Sequence, residues 1–423
     1  MRRNLSLIVL TFAVCLMVSG FVLAKDITIT LWDIRTEADF VTPVLKDAIA
    51  RFEADNPGVT IKHEPIGNDN YKTRIRTAMA ANNEPDIFMT WGSSSLKMYV
   101  DEGKVLDLTP YLTDKWLDRF VPAGLDIGKF DGKYYGLPVT SMNAALVFYR
   151  KDMFEEYGLE IPETYEDLLD IIDTLKANNI IPFTLANKTR WTGSMYFMYL
   201  VDRFGGSEAF KNALNRTGAF NDEPFIKAGE VIQDFVKMGA LPDGVNGMDE
   251  DTAQSRALIY ADRAAMYLMG SWANGSFADE NPAVNENIDF FNFPAMKNGG
   301  DPSNLIGTPG DNYYSVAKSA GNKELAVEFL KYLTDEEMAA GLVEIGNIPP
   351  FNGVSELIKQ DRQRRIYETL QKANHIQLWY DQALPLELAE VHLNTTQALF
   401  GLQMTPEEAA DAMEAAAQDY FDE

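Results

Sequence analysis

Between Ile27 and Trp91 the spacing of apolar residues alternates between the period of a strand and that of a helix, and this alternation restricts the fold more than any other feature of the chain. Ile27, Ile29 and Leu31 alternate with Thr28, Thr30 and Trp32, which is the two-residue period of a strand. Thr42-Pro43 then reads as an N-cap followed by proline at the first helical position, with Leu45, Ala48, Ile49 and Phe52 at helical spacing. Asn56-Pro57-Gly58 stops that helix. Val59 to Glu64 reads as a second strand, Tyr71 to Ala81 as a second helix and Pro85 to Trp91 as a third strand. Strands separated by helices pair in parallel, and parallel sheets bind ligands beyond the carboxyl ends of their strands.

Helical patterning dominates after Leu137. Thr164 is placed to cap a helix running through Leu168 to Lys176, and Phe225 to Met238 carries a second apolar stripe. Leu325, Ala326, Phe329, Leu330 and Leu333 form another, Asn347 to Asn352 is a turn-rich break, and Thr405-Pro406-Glu407-Glu408 has the spacing of a capping box. There is no repeat and no long flexible linker.

The N-terminus is of a different kind. Arg2 and Arg3 precede the apolar run Leu7 to Val18, followed by Ser19, Gly20 and Val22-Leu23-Ala24, the pattern of a secretory signal peptide cleaved after Ala24. The run is shorter than the roughly 20 residues of a membrane span. Cys15 lies inside it behind Val14, which is not the setting of a lipid-anchored cysteine. Removing residues 1 to 24 takes away Arg2, Arg3 and the only cysteine, so the formal charge moves from −26 to −28 and no disulfide can form. The 399 residues left of 423 exceed what one core sustains, so two lobes are expected. So acidic a chain is a poor partner for nucleic acid or anionic membranes. The expectation is a soluble periplasmic monomer.

Signatures of chemistry are missing. The chain has no phosphate-cradling glycine loop, no dinucleotide fingerprint and no paired-histidine zinc motif, and His63, His375 and His392 are scattered. Catalytic residues, metals and cofactors are therefore not expected. With 63 acidic residues, any chosen pair of carboxylates says nothing about glycoside hydrolysis. Tryptophan placement is more informative. Trp91 in Met-Thr-Trp-Gly-Ser, Trp191 in Lys-Thr-Arg-Trp-Thr-Gly and Trp272 in Met-Gly-Ser-Trp-Ala-Asn-Gly stand where regular segments meet irregular ones. An indole face matches the apolar face of a pyranose ring, and short polar side chains can bind its hydroxyls; a large aromatic can also simply fill a core.

The order of segments resembles the extracellular solute-binding proteins of the maltodextrin-binding-like, carbohydrate-uptake type. The likeness runs through the opening strand Ile27 to Trp32, Phe52-Glu53-Ala54-Asp55-Asn56-Pro57-Gly58-Val59, Glu84-Pro85-Asp86-Ile87 and Gly103-Lys104-Val105-Leu106-Asp107-Leu108. It continues through Asp131-Gly132-Lys133-Tyr134-Tyr135-Gly136-Leu137-Pro138, Ala264 to Trp272 and Asn322-Lys323-Glu324-Leu325-Ala326. The resemblance implies an α/β, two-lobed periplasmic-binding-protein fold, each lobe a mainly parallel sheet flanked by helices, the lobes joined by crossover hinge strands. Residues 25–138 plus 293–346 would form the N-terminal lobe, and residues 139–292 plus 347–423 the C-terminal lobe. Pro138 to Tyr149 would be the first crossover and Ile288 to Pro294 the second.

By the same resemblance Trp91 and Trp272 would stack on sugar rings, and Trp379 roughly fits a further cleft tryptophan. Trp191 joins them as a candidate on its loop setting. Glu37, in the loop after the first strand, Asn143 on the first crossover and Asp311 in Gly310-Asp311-Asn312 are the candidate polar contacts. Each has a plainer account, as a first-turn charge, a hinge amide satisfying backbone groups and a tight turn. The implied function is capture of a sugar or short oligosaccharide by lobe closure and its delivery to the transmembrane subunits of an ABC permease. Two alternatives stay open: a secreted glycosidase or lyase, and a binder of an anionic sugar such as a uronate or sugar phosphate held by Arg35 or Arg190.

Overall fold

In the computed structural model, which describes residues 26–422, the three N-terminal strands form and pair in parallel, Ile27–Asp33 lying between Val59–Pro65 and Ile87–Thr90. The expected signal peptide, residues 1–24, lies outside the described residues. The helix between the first two strands spans Thr42–Asp55, and its cap is Val41, not Thr42. The Thr42 hydroxyl instead donates to the Thr36 carbonyl at 2.6 Å, which turns the loop into the helix. The expected cap at Thr164 forms, as a capping box with Asp167, and the expected capping box forms at Thr405 with Glu408. Among the described residues no helix is long and apolar enough to cross a membrane.

Two sheets result. The smaller has the order Val59–Pro65, Ile27–Asp33, Ile87–Thr90, Tyr313–Val316, Leu137–Pro138. The larger has the order Ile376–Leu378, Leu305–Thr308, Asn143–Arg150, Ala264–Gly270, Ile181–Thr184, with Ile288–Phe291 also paired to Asn143–Arg150. Each sheet is parallel except for one strand: Tyr313–Val316 in the smaller, Asn143–Arg150 in the larger. These two are the strands by which the chain enters a lobe from the other one. The reason is geometric. Parallel strands end at the cleft, so a chain arriving across the cleft must run away from it, against the rest of the sheet.

Two separate apolar cores follow. One is built on the smaller sheet and includes Phe52, Phe88, Leu137, Tyr314 and Phe329; the other holds Phe148, Phe183, Met266, Phe293 and Ile306. The return to the first lobe is pinned by Phe52, whose ring lies 5.2 Å from Phe329 and 5.3 Å from Tyr332 in edge-on pairs. Such pairs add about 0.5–1.5 kcal/mol each beyond burial.

The chain passes between lobes three times: at Val139 to Met142, at Pro309 to Asn312, and between Ile345 and Val354. The passages are bonded side by side. Thr140 N–H donates to the Asp311 carbonyl at 3.3 Å and Met142 N–H to the Ile348 carbonyl at 2.7 Å. The second passage corrects the expectation of a crossover at Ile288 to Pro294 and a return to the first lobe at residue 293. Ile288–Phe291 runs antiparallel to Asn143–Arg150 inside the larger sheet, Phe293 is fully buried in the larger core, and Leu305–Thr308 extends the same sheet. Strands of four residues carry no mark of which sheet they join, so the crossing was misplaced by about one strand and its preceding loop.

Candidate functional site

A cavity of about 490 Å³ lies where the three passages, the carboxyl ends of both sheets and the helix Ala273–Glu280 meet. That volume falls within the roughly 300–1,000 Å³ usual for small-molecule sites. Trp91 lines it from the smaller lobe, and Trp191, Trp272 and Trp379 line it from the larger.

The indoles are held by local backbone features. Trp91 ends a buried strand, and Gly92 and Ser93 both take positive φ, turning the chain sharply into the next helix. Tyr71 packs edge-on to its ring at 6.1 Å, and the Lys72 ammonium sits 5.0 Å from its centroid. Trp272 folds back over its own strand, because Gly270 has no side chain: a Cβ there would lie 2.1 Å from the indole. The ring is then wedged between Trp191 and Trp379, with centroids 6.1 and 6.0 Å away. Trp379 is only 4% exposed, packed in the larger core, and also lines the cavity.

Trp191 opens the helix Trp191–Gly205 directly after Arg190, whose φ of 66° and ψ of −40° accompany a bond from Trp191 N–H to the Thr189 carbonyl at 2.8 Å. This is close to the strained form of the γ-turn. The Arg190 side chain turns away to Glu390 and Asn394 at 2.8 and 2.7 Å and does not line the cavity.

The polar candidates divide. Asn143 and Asp311 line the cavity and bond to each other at 2.9 Å, with Ser141 and Ser271 completing the cluster around Asn143. Burial pushes the Asp311 carboxyl up, against the opposing pull of the Asn312 N–H, Arg35 and the Asn143 amide. Glu37 corrects the expectation. It is exposed, pairs with Lys46 at 2.7 Å and faces away from the cavity. The cause is a turn closed by Asp39 N–H on the Thr36 carbonyl, which throws its second residue outward while Thr36, Ala38 and Asp39 face in.

Arg35, singled out in the sequence as a possible anion partner, lines the cavity, as do several residues that were not singled out. Arg35 is buried and reaches Asp39 at 2.9 Å and the Asn312 side chain. Burial works against its charge, but Asp39, Tyr314 and Asp33 more than offset this. Asp381 lies two residues past Trp379; burial raises its carboxyl while Lys72, at 3.8 Å in the other lobe, opposes the rise. Proximity to Trp379 and to Asp311 could have flagged Asp381 and Asn312. Nothing in one sequence marks Lys72, Arg256 or Glu280. The lobes also touch at the rim, where the Ser94 hydroxyl donates to the Ala383 carbonyl at 2.9 Å and Asp69 N–H to Asp251 at 3.1 Å. Among the described residues no group of three His, Cys, Asp or Glu side chains is placed to hold a metal ion.

The arrangement suits capture of a ligand between two bodies, and comparison with known proteins agrees. The model of the bacterial extracellular solute-binding protein family matches residues 38–340. A multiple sugar-binding protein of Streptococcus mutans is 26% identical over 323 residues, covering 73% of this chain and 71% of that protein. A structure from work on xylan utilization by the thermophilic bacterium Caldanaerobius polysaccharolyticus superposes with a TM-score of 0.86 at 30% identity, over 92% of this chain and 99% of the other. A chitin oligosaccharide binding protein gives 0.82 at 28% identity, over 92% and 98%. By this match of family model and fold, the chain belongs to the bacterial extracellular solute-binding proteins.

Proposed function

We propose that this protein captures a neutral carbohydrate between its lobes and hands it, chemically unchanged, to the transmembrane subunits of an ABC importer in the periplasm. The observation that carries the reading is the single cavity shared by Trp91 from one lobe and Trp191, Trp272 and Trp379 from the other, edged by carboxylates and side-chain amides. Indole faces match the apolar faces of pyranose rings, and the polar edge matches their hydroxyls. A ligand touching both lobes favours the closed state by its differential affinity, which is all that closure requires. Relatives named for sugar binding and for chitin oligosaccharides support the ligand class.

Charge supports a neutral ligand over an anionic one. The lining holds Arg35, Lys72 and Arg256 against twice as many carboxylates: Asp39, Glu250, Asp251, Glu280, Asp311 and Asp381. Each cation is already paired, Arg35 with Asp39, Lys72 with Asp381, and Arg256 with Glu250 and Glu280. A uronate or phosphate would enter a field of its own sign.

The test is a thermal-shift screen of the mature protein against neutral mono- and oligosaccharides and their uronate counterparts, with chromatography of each sugar after incubation. A ligand that binds only the folded state raises the melting temperature. Neutral sugars should shift it and come back intact. A shift by uronates alone would overturn the neutral reading, and shortened products would overturn the transport reading in favour of an enzyme.

A further inference from the structure

We infer that the cavity contains a second, polar subsite built on Glu280 and Ser276, so that the ligand is an oligosaccharide of at least two rings and not a free monosaccharide. This rests on the carbohydrate reading above. The floor of the cavity is one face of the helix Ala273–Glu280: Trp272, Ser276 and Glu280 follow at intervals of four residues, and all three line the cavity. At 1.5 Å per residue, roughly 12 Å of helix axis separates Trp272 from Glu280. A ring stacked at the Trp191, Trp272 and Trp379 end cannot also reach Glu280.

The far end is built to bind. Glu280 accepts from Arg256 Nη2 and from the Tyr260 hydroxyl, each at 2.8 Å. Arg256 is fixed in turn by Glu250 at 2.6 Å, and Glu250 by the Tyr267 hydroxyl at 2.6 Å and by Ser255. The chain of bonds sets the carboxylate in one orientation before any ligand arrives, while 30% of its side chain stays exposed. Ser276 lies one turn nearer the tryptophans, 7% exposed and on the cavity wall. A hydroxyl on the wall of a cavity can both donate to and accept from a ligand. Across from this face the loop from Ile34 to Val41 of the other lobe supplies Phe40, whose ring would lie 2.3 Å from a Cβ at Gly275. Rings at both ends would therefore touch both lobes.

The experiment is calorimetric titration of the mature protein with xylo-, chito- and malto-oligosaccharides of one to four rings. In the series that binds, affinity should rise about tenfold or more from one ring to two. Ser276→Ala and Glu280→Gln should each pull the ratio of two-ring to one-ring affinity toward one, and melting curves of both variants establish that they are folded. Glu280→Gln keeps a side-chain acceptor for Tyr260, so it separates loss of the subsite from loss of the fold. Equal affinity for a monosaccharide and its dimer overturns the inference, as does an unchanged ratio in both variants. No binding by any member of the three series overturns the carbohydrate reading itself, a failure distinct from the first.

Discussion

Asn143 and Asp311, 168 residues apart in the chain, are joined by a 2.9 Å hydrogen bond from side-chain amide to carboxylate, at the point where two of the three interlobe passages lie side by side. Both also line the cavity, so the bond ties hinge and site together. Asn143→Ala leaves the Asp311 carboxylate buried with one donor fewer and strips Ser271 of its acceptor. An unsatisfied buried polar group costs about 1–3 kcal/mol. The variant should lose that much stability in denaturant titrations without sugar, and should bind sugar more weakly as well.

Trp272 is the central ring of the aromatic side, between Trp191 and Trp379. Trp272→Ala should cost at least about 2 kcal/mol of binding, roughly thirtyfold in Kd by calorimetry. Gly270→Ala tests the same ring without touching it, because the new Cβ would fall on the indole. It should weaken binding while the far-UV circular dichroism stays that of the parent.

The Lys72–Asp381 pair spans the lobes with unequal ends. Removing the lysine leaves a buried carboxylate uncompensated in the closed form, whereas Asp381→Asn removes the charge that is disfavoured there. Lys72→Met should therefore weaken binding more than Asp381→Asn. Burial raises the Asp381 carboxyl, so its ionised form opposes closure and protonation relieves that opposition. Affinity of Lys72→Met measured at pH 5 and pH 7.5 should recover on the acid side, and the double variant should show no such recovery.

His392 is buried against Phe197 and Tyr380, and its ring nitrogen is 2.6 Å from the Ser194 hydroxyl. Burial lowers its pKa to about 3. The folded state keeps the ring neutral while the unfolded chain takes up a proton as pH falls below about 6.5, so stability present at neutral pH is lost progressively toward pH 3. The denaturation midpoint of His392→Asn should fall less between pH 7 and pH 4.5 than that of the parent.

Much of the fold was legible because it rests on local periodicity. The strands at Ile27, Val59 and Ile87, the helices between them and the caps at Thr164 and Thr405 are each written in a few adjacent residues. The second crossing was not, since the four-residue strands Ile288–Phe291 and Leu305–Thr308 carry no local sign of the sheet each joins. At the site, tryptophans were legible because an indole in a loop is unusual. Glu37 misled because a single turn decides whether a loop residue faces in or out.

The sequence by itself determined the kind of molecule: alternating strands and helices commit the chain to parallel sheets, and its length commits it to two cores. Which side chains meet was decided only by the tertiary structure. Asn143 with Asp311, Lys72 with Asp381 and Trp272 with Trp379 come from distant segments. Their contacts depend on how two lobes are set against each other by three short passages, and no local period encodes that angle.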